Sequence, residues 1–107
     1  MTVQSYVNNV LQIPVTRIGN KHTVEAIEIV LDTHDHKFYS RLAEVTGKTT
    51  SQLENSLRDA KEKSLIYMNP EIKKKMFIDI NKSISNTEFI VLSAQYYKEN
   101  YENKDEG

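Results

Sequence analysis

The residues whose types and spacing suggest chemistry stand between Lys48 and Arg58. Lys48-Thr49-Thr50-Ser51-Gln52 joins a cation, three hydroxyls and an amide, and Glu54, Asn55 and Arg58 follow within two helical turns. Hydroxyls and a helix N-terminus bond phosphate oxygens. Gln52 and Asn55 each offer the paired donor and acceptor that match adenine, and Arg58 reaches guanine or a phosphate. This is the chemistry of recognition in the major groove of double-stranded DNA rather than of bond making. Lys73-Lys74-Lys75 adds three cations suited to backbone phosphates. The competing reading of the same pattern is a helical hairpin that touches no nucleic acid, a protein-interaction module whose contact surfaces are an acidic helix and an aromatic C-terminal helix.

Other constellations point less far. His34 and His36 alternate in a run with Asp32 and Asp35, a spacing that can chelate zinc or nickel if His22 approaches through the fold. A solvated loop explains the run better, and we expect no metal site. There is no Gly-rich phosphate loop, nucleophile elbow or His-Glu-x-x-His, so neither an enzyme nor a cofactor is expected.

The bulk properties set the frame. Fourteen Lys and Arg against fifteen Asp and Glu leave a net charge of -1 on 107 residues, which argues against non-specific coating of nucleic acid. The total hides a gradient. Glu25, Glu28, Asp32 and Asp35 lie between His22 and His36 without a Lys or Arg, whereas Lys37 to Lys75 holds nine basic residues against five acidic ones. A local positive surface matters more to an anionic partner than the sum does. The absence of cysteine rules out disulfides and thiolate zinc sites. No stretch approaches the roughly 20 apolar residues of a membrane span, and no secretory signal is seen, so a cytoplasmic protein without membrane contact is expected.

These side chains need elements to position them. Val3, Val7, Val10 and Leu11 recur at helical spacing over residues 2–12. Pro14 to His22 reads as a loop with a Gly19-Asn20 turn, and Thr23 as the cap of a second helix with an apolar stripe of Val24, Ile27, Val30 and Leu31. A third helix, Lys37 to Val45, would bury Phe38, Leu42 and Val45. Gly47 breaks it, and Thr49 or Thr50 caps a fourth helix to about Ser64, with Leu53, Leu57 and Ala60 inward. Small Ala43, then Gly47, then apolar Leu53 is the packing requirement of a helix-turn-helix.

Leu65-Ile66-Tyr67-Met68 is β-prone, Asn69-Pro70 is a turn signal, and Met76, Ile78 and Ile80 alternate like a strand. A hairpin of about 65–68 and 75–80 would place Lys73 to Lys75 on a wing beside the recognition helix. Ser85 and Glu88 stand at capping-box spacing before a long C-terminal helix that is apolar nearly all round. Such a helix packs on two sides at once, and a homodimer formed through it is expected. Residues 98–107 read as an acidic, disordered tail after a single domain over 1–97.

Three stretches in order carry a resemblance. They are Ile13-Pro14 with Gly19 and Glu25-Ala26-Ile27; then Phe38-Tyr39, Ala43, Thr50, Ser51, Glu54, Arg58, Ala60 and Glu62; then Asn86-Thr87-Glu88-Phe89-Ile90. Together they cover most of residues 10–92. The chain resembles the C-terminal DNA-binding effector domain of the stage-zero sporulation response regulator of spore-forming Firmicutes, here without a receiver domain. The resemblance implies a mainly helical transcription factor domain in which Glu54 and Arg58 take part in DNA contact. Asn55 stands where the family has a guanine-reading Arg, which implies a different base preference. The family also places helix, not strand, in the region of Leu65 to Ile80.

The expected protein is thus mainly α, a helix-turn-helix domain either winged or all-helical. It would bind duplex DNA site-specifically as a transcription regulator or as an accessory factor at a plasmid or phage DNA site. A further protein of the transcription or DNA-processing machinery is a possible partner.

Overall fold

The computed structural model describes residues 1–77 and 83–102. Among them are six helices: α1 (Val3–Asn9), α2 (Ile18–Thr33), α3 (Tyr39–Thr46), α4 (Thr50–Tyr67), α5 (Pro70–Met76) and α6 (Asn86–Asn100). No strand occurs among the described residues. The central helix α2 is the hub and touches α1, α3, α4 and α6. Its core stripe of Val24, Ile27 and Val30 meets Phe38 and Leu42 from α3 and its approach, Leu53 and Leu57 from α4, and Phe89 and Ile90 from α6 in one apolar cluster. Removing these side chains from water is the dominant stabilising term.

The start of α2 differs from expectation. Thr23 does not cap it; the helix begins at Ile18, and Thr23 is fully buried within it. Two tertiary contacts explain the earlier start. The Asn20 side chain donates to the Ile13 carbonyl (2.8 Å) and to Asn8 Oδ1 (2.9 Å), fastening the first turn to the chain before it. Gly19 lies so close to α4 that a Cβ would stand 2.4 Å from the Ser56 carbonyl oxygen and 2.9 Å from Ala60 Cβ. What read as a turn glycine is a helix-crossing glycine.

The β-hairpin is not present among the described residues. Leu65 to Tyr67 form the last turn of α4, and residues 70–76 form α5; Ile78 and Ile80 lie outside the described residues. Among the described residues the arrangement is all-helical. The local β preference of Leu65-Ile66-Tyr67 is overridden because Ser64 and Met68, both buried, extend the inner face of α4. Asn69 then caps α5, its Oδ1 accepting from Glu71 N (2.8 Å), with Pro70 at the first helical position.

Val45 also departs from expectation. It is 56% exposed, because α3 is short and its last turn projects past the core. The C-terminal helix runs to Asn100, beyond the expected tail boundary at residue 98, and Tyr101 packs on Tyr6 (centroids 5.5 Å apart). The buried Tyr6 hydroxyl donates to the Ser93 carbonyl (2.8 Å) and that of Tyr97 to the Met1 carbonyl, so the two chain ends are fastened together. Of the apolar residues of α6, Phe89, Ile90, Ala94 and Tyr97 are packed in the core, while Val91, Leu92 and Tyr96 are half-buried. No helix among the described residues is long and apolar enough to cross a membrane.

Candidate nucleic-acid interface

The turn between α3 and α4 is built from local chemistry. Gly47 takes φ 71°, the left-handed conformation that ends α3, and its N–H donates to the Ala43 carbonyl (2.9 Å). A Cβ there would meet nothing within 4 Å, so the glycine answers a backbone requirement alone. Thr46 Oγ1 donates to the Leu42 carbonyl (2.7 Å) and accepts from Lys48 N (3.2 Å). Thr49 then caps α4: its Oγ1 accepts from Gln52 N (3.1 Å), and its own N–H donates to Gln52 Oε1 (2.9 Å). This reciprocal box stabilises the start of the helix by about 1 kcal/mol.

The inner side of α4 is Leu53, Leu57 and Ala60, all buried. Its outer side is therefore set by helical geometry. Ser51, Asn55, Arg58 and Glu62 recur every three or four residues and are all exposed. Lys48, Thr49, Thr50, Gln52 and Glu54 are exposed around the same end. The structure thus brings together every candidate from Lys48 to Arg58. Their commitments differ, however. Gln52 has its amide oxygen engaged in the cap, which leaves its nitrogen as the group facing outward. Arg58 Nη1 donates to Asn55 Oδ1 (3.2 Å), which preorganises the pair.

A polar notch of about 290 Å³ runs beside this row, lined by Tyr39, Glu54, Arg58, Lys61, Ser85 and Asn86. The Asn86 amide donates to the Glu54 carbonyl (3.0 Å) and Lys61 Nζ to the Ile84 carbonyl (2.8 Å), so the start of α6 is pinned to α4. Burial pushes the Tyr39 hydroxyl up in pKa, keeping it a neutral hydrogen-bonding group at the notch.

Lys73, Lys74 and Lys75 lie elsewhere. Lys73 Nζ donates to the Leu65 carbonyl (3.0 Å), placing α5 at the far end of α4. At 1.5 Å per residue, Leu65 is about 22 Å along the axis from Thr50. Without a hairpin these lysines do not flank the helix N-terminus. Two cations that the sequence reading missed lie closer. Arg17 Nε approaches Asp59 at 3.9 Å, and Lys21, like Lys48, acts electrostatically on His22. Arg17 is the N-cap of α2 and Lys21 lies in its first turn.

His22 itself is 3% exposed, with Nδ1 2.7 Å from Ser56 Oγ. The Ser56 hydroxyl also lies 3.2 Å from the Leu53 carbonyl oxygen. Burial lowers the His22 pKa; Glu25 opposes this, and Lys48 and Lys21 add to it. The pair fastens α2 to α4. His34 and His36 are exposed at the opposite end of α2 from His22, and no three metal-ligating side chains converge among the described residues.

Taken together the site offers hydroxyls, amides and cations on one end of a capped, rigidly backed helix. Comparison with family models, with curated proteins and with solved structures finds no match to this chain.

Proposed function

We propose that this chain is a sequence-specific double-stranded DNA-binding protein, a transcription regulator or an accessory factor at a plasmid or phage DNA site. In this reading α3, the Gly47 turn and α4 act as a helix-turn-helix, and the first half of α4 enters the major groove. The observation that carries the reading is the outward row of Ser51, Asn55 and Arg58 on a helix whose opposite side is wholly buried. Asn55 and Arg58 read base edges, while Lys48, Thr50 and Ser51 hold phosphates. Glu54 buttresses the reading pair from the notch. Lys73 to Lys75 are left with at most a peripheral part in this docking.

Selection from a random duplex library, at low and at near-physiological salt, tests the proposal. Enrichment of a motif, with affinity falling steeply as salt rises, is the expected result. No enrichment at either salt refutes it and favours the protein-interaction reading, which the exposed Val45 beside acidic α2 supports.

A further inference from the structure

Two surfaces are left over once the α4 row is assigned to DNA. The first is a groove of about 420 Å³ between α2 and α3, lined by Glu25, Glu28, Ile29, Asp32, Arg41 and Val45. Its floor is apolar, and its walls carry three carboxylates to one guanidinium. Glu25 Oε2 is enclosed there without a hydrogen-bond partner, an acceptor that lacks a donor. The second surface is the corner where α4 meets α5. Ile66 and Tyr67 are 69% and 54% exposed there, and Lys74 and Lys75 are exposed on the helix that Lys73 ties to Leu65. Against Glu71 in α5 stand three lysines. Val45, Ile66 and Tyr67 are three of the five large apolar side chains exposed among the described residues.

The two surfaces are complementary, acidic with an apolar floor against basic with apolar knobs. One copy cannot join its own pair. Val45 is next to the start of α4, whereas Tyr67 ends it, roughly 25 Å further along the axis. We infer that a second copy of this chain docks its α4–α5 corner into the α2–α3 groove of the first, a head-to-tail contact between unlike surfaces. Such a contact does not close on itself as a twofold interface does; it leaves a free groove at one end and a free corner at the other. The inference stands apart from DNA binding and needs none for its test.

Two double variants on exposed residues decide it, each checked for helix content by circular dichroism. E28K with D32K reverses the groove; K74E with K75E reverses the corner. Sedimentation velocity over a micromolar to millimolar series of the unmodified chain should show reversible growth beyond a dimer. Each double variant alone should associate at least about tenfold more weakly, because like charges then face each other. Mixed together, the two should associate again, since the unmodified corner of one meets the unmodified groove of the other and the two reversed surfaces also carry opposite charges. An unmodified chain that stays monomeric throughout overturns the inference. So do double variants that associate as well as the unmodified chain, the result a twofold contact through α6 would give, and so does a mixture that stays monomeric.

Discussion

Helix α4 is held at two junctions that contain a glycine, and the two work differently. Along its buried side, α2 crosses it at Gly19, where a methyl group would drive into the Ser56 carbonyl. At its exposed end, Gly47 faces open space and is needed only for its positive φ. The first junction is governed by volume and the second by backbone conformation. Close packing transmits any change at Gly19 into the whole α2–α4 seam, including the His22–Ser56 contact. A change at Gly47 costs local strain and leaves the seam intact. A helix fixed by volume on one side and presented by a conformational hinge on the other is a suitable platform for recognition.

The sharpest way to break this comparison is Gly19→Ala. Alanine stabilises an ordinary helix position, but here it should destabilise by about 3 kcal/mol, read from the urea midpoint. A neutral or stabilising result would show that the two helices are not in backbone contact. Next in size is Arg58→Ala, which should leave stability alone and weaken binding to a selected duplex by about 1–3 kcal/mol. Unchanged affinity would remove Arg58 from the base-reading role.

The seam should also respond to acid. Because burial lowers the His22 pKa, the unfolded chain takes up a proton that the folded chain resists. Stability is then full above about pH 6.5 and falls as pH drops toward the folded value, by at most about 1.4 kcal/mol per pH unit. His22→Gln should flatten that part of the profile in thermal melts between about pH 7 and 5. If both proteins lose stability in parallel, the proton uptake lies elsewhere.

Gly47→Ala should cost about 1 kcal/mol, the penalty for a Cβ in the left-handed region. A loss as large as that of Gly19→Ala would erase the distinction between the junctions. The smallest effect has the opposite sign. The buried Thr23 hydroxyl has no hydrogen-bond partner, so Thr23→Val should stabilise by about 1 kcal/mol in the same urea titration. Destabilisation there would mean that the hydroxyl does find an acceptor.

The exposed junction was legible in the residues and the buried one was not. Gly47, the Thr49–Gln52 cap and the Ser85–Glu88 cap follow from side chains within a few residues of the backbone groups they satisfy. So does the inward row of Leu53, Leu57 and Ala60, which helical periodicity alone dictates. Gly19 and His22 owe their roles to Ser56 and Ala60, more than thirty residues away, and nothing in residues 14–23 announces those partners. The same holds for Leu65 to Tyr67, whose β preference yielded to a helix already running and already packed.

By itself, then, the sequence determined six of the features that matter: a helical chain, the ends of α3, α4 and α6 as set by glycine and hydroxyl caps, the outward row from Ser51 to Arg58, and an uneven charge. These are properties of spacing and of bonds between near neighbours. The tertiary structure alone decided that α2 starts five residues earlier than its apparent cap, that Lys73 to Lys75 sit at the wrong end of α4 for a wing, and that Val45 faces solvent. Each depends on which distant surface a helix meets, and the energy of that contact exceeds the local preferences it overrides.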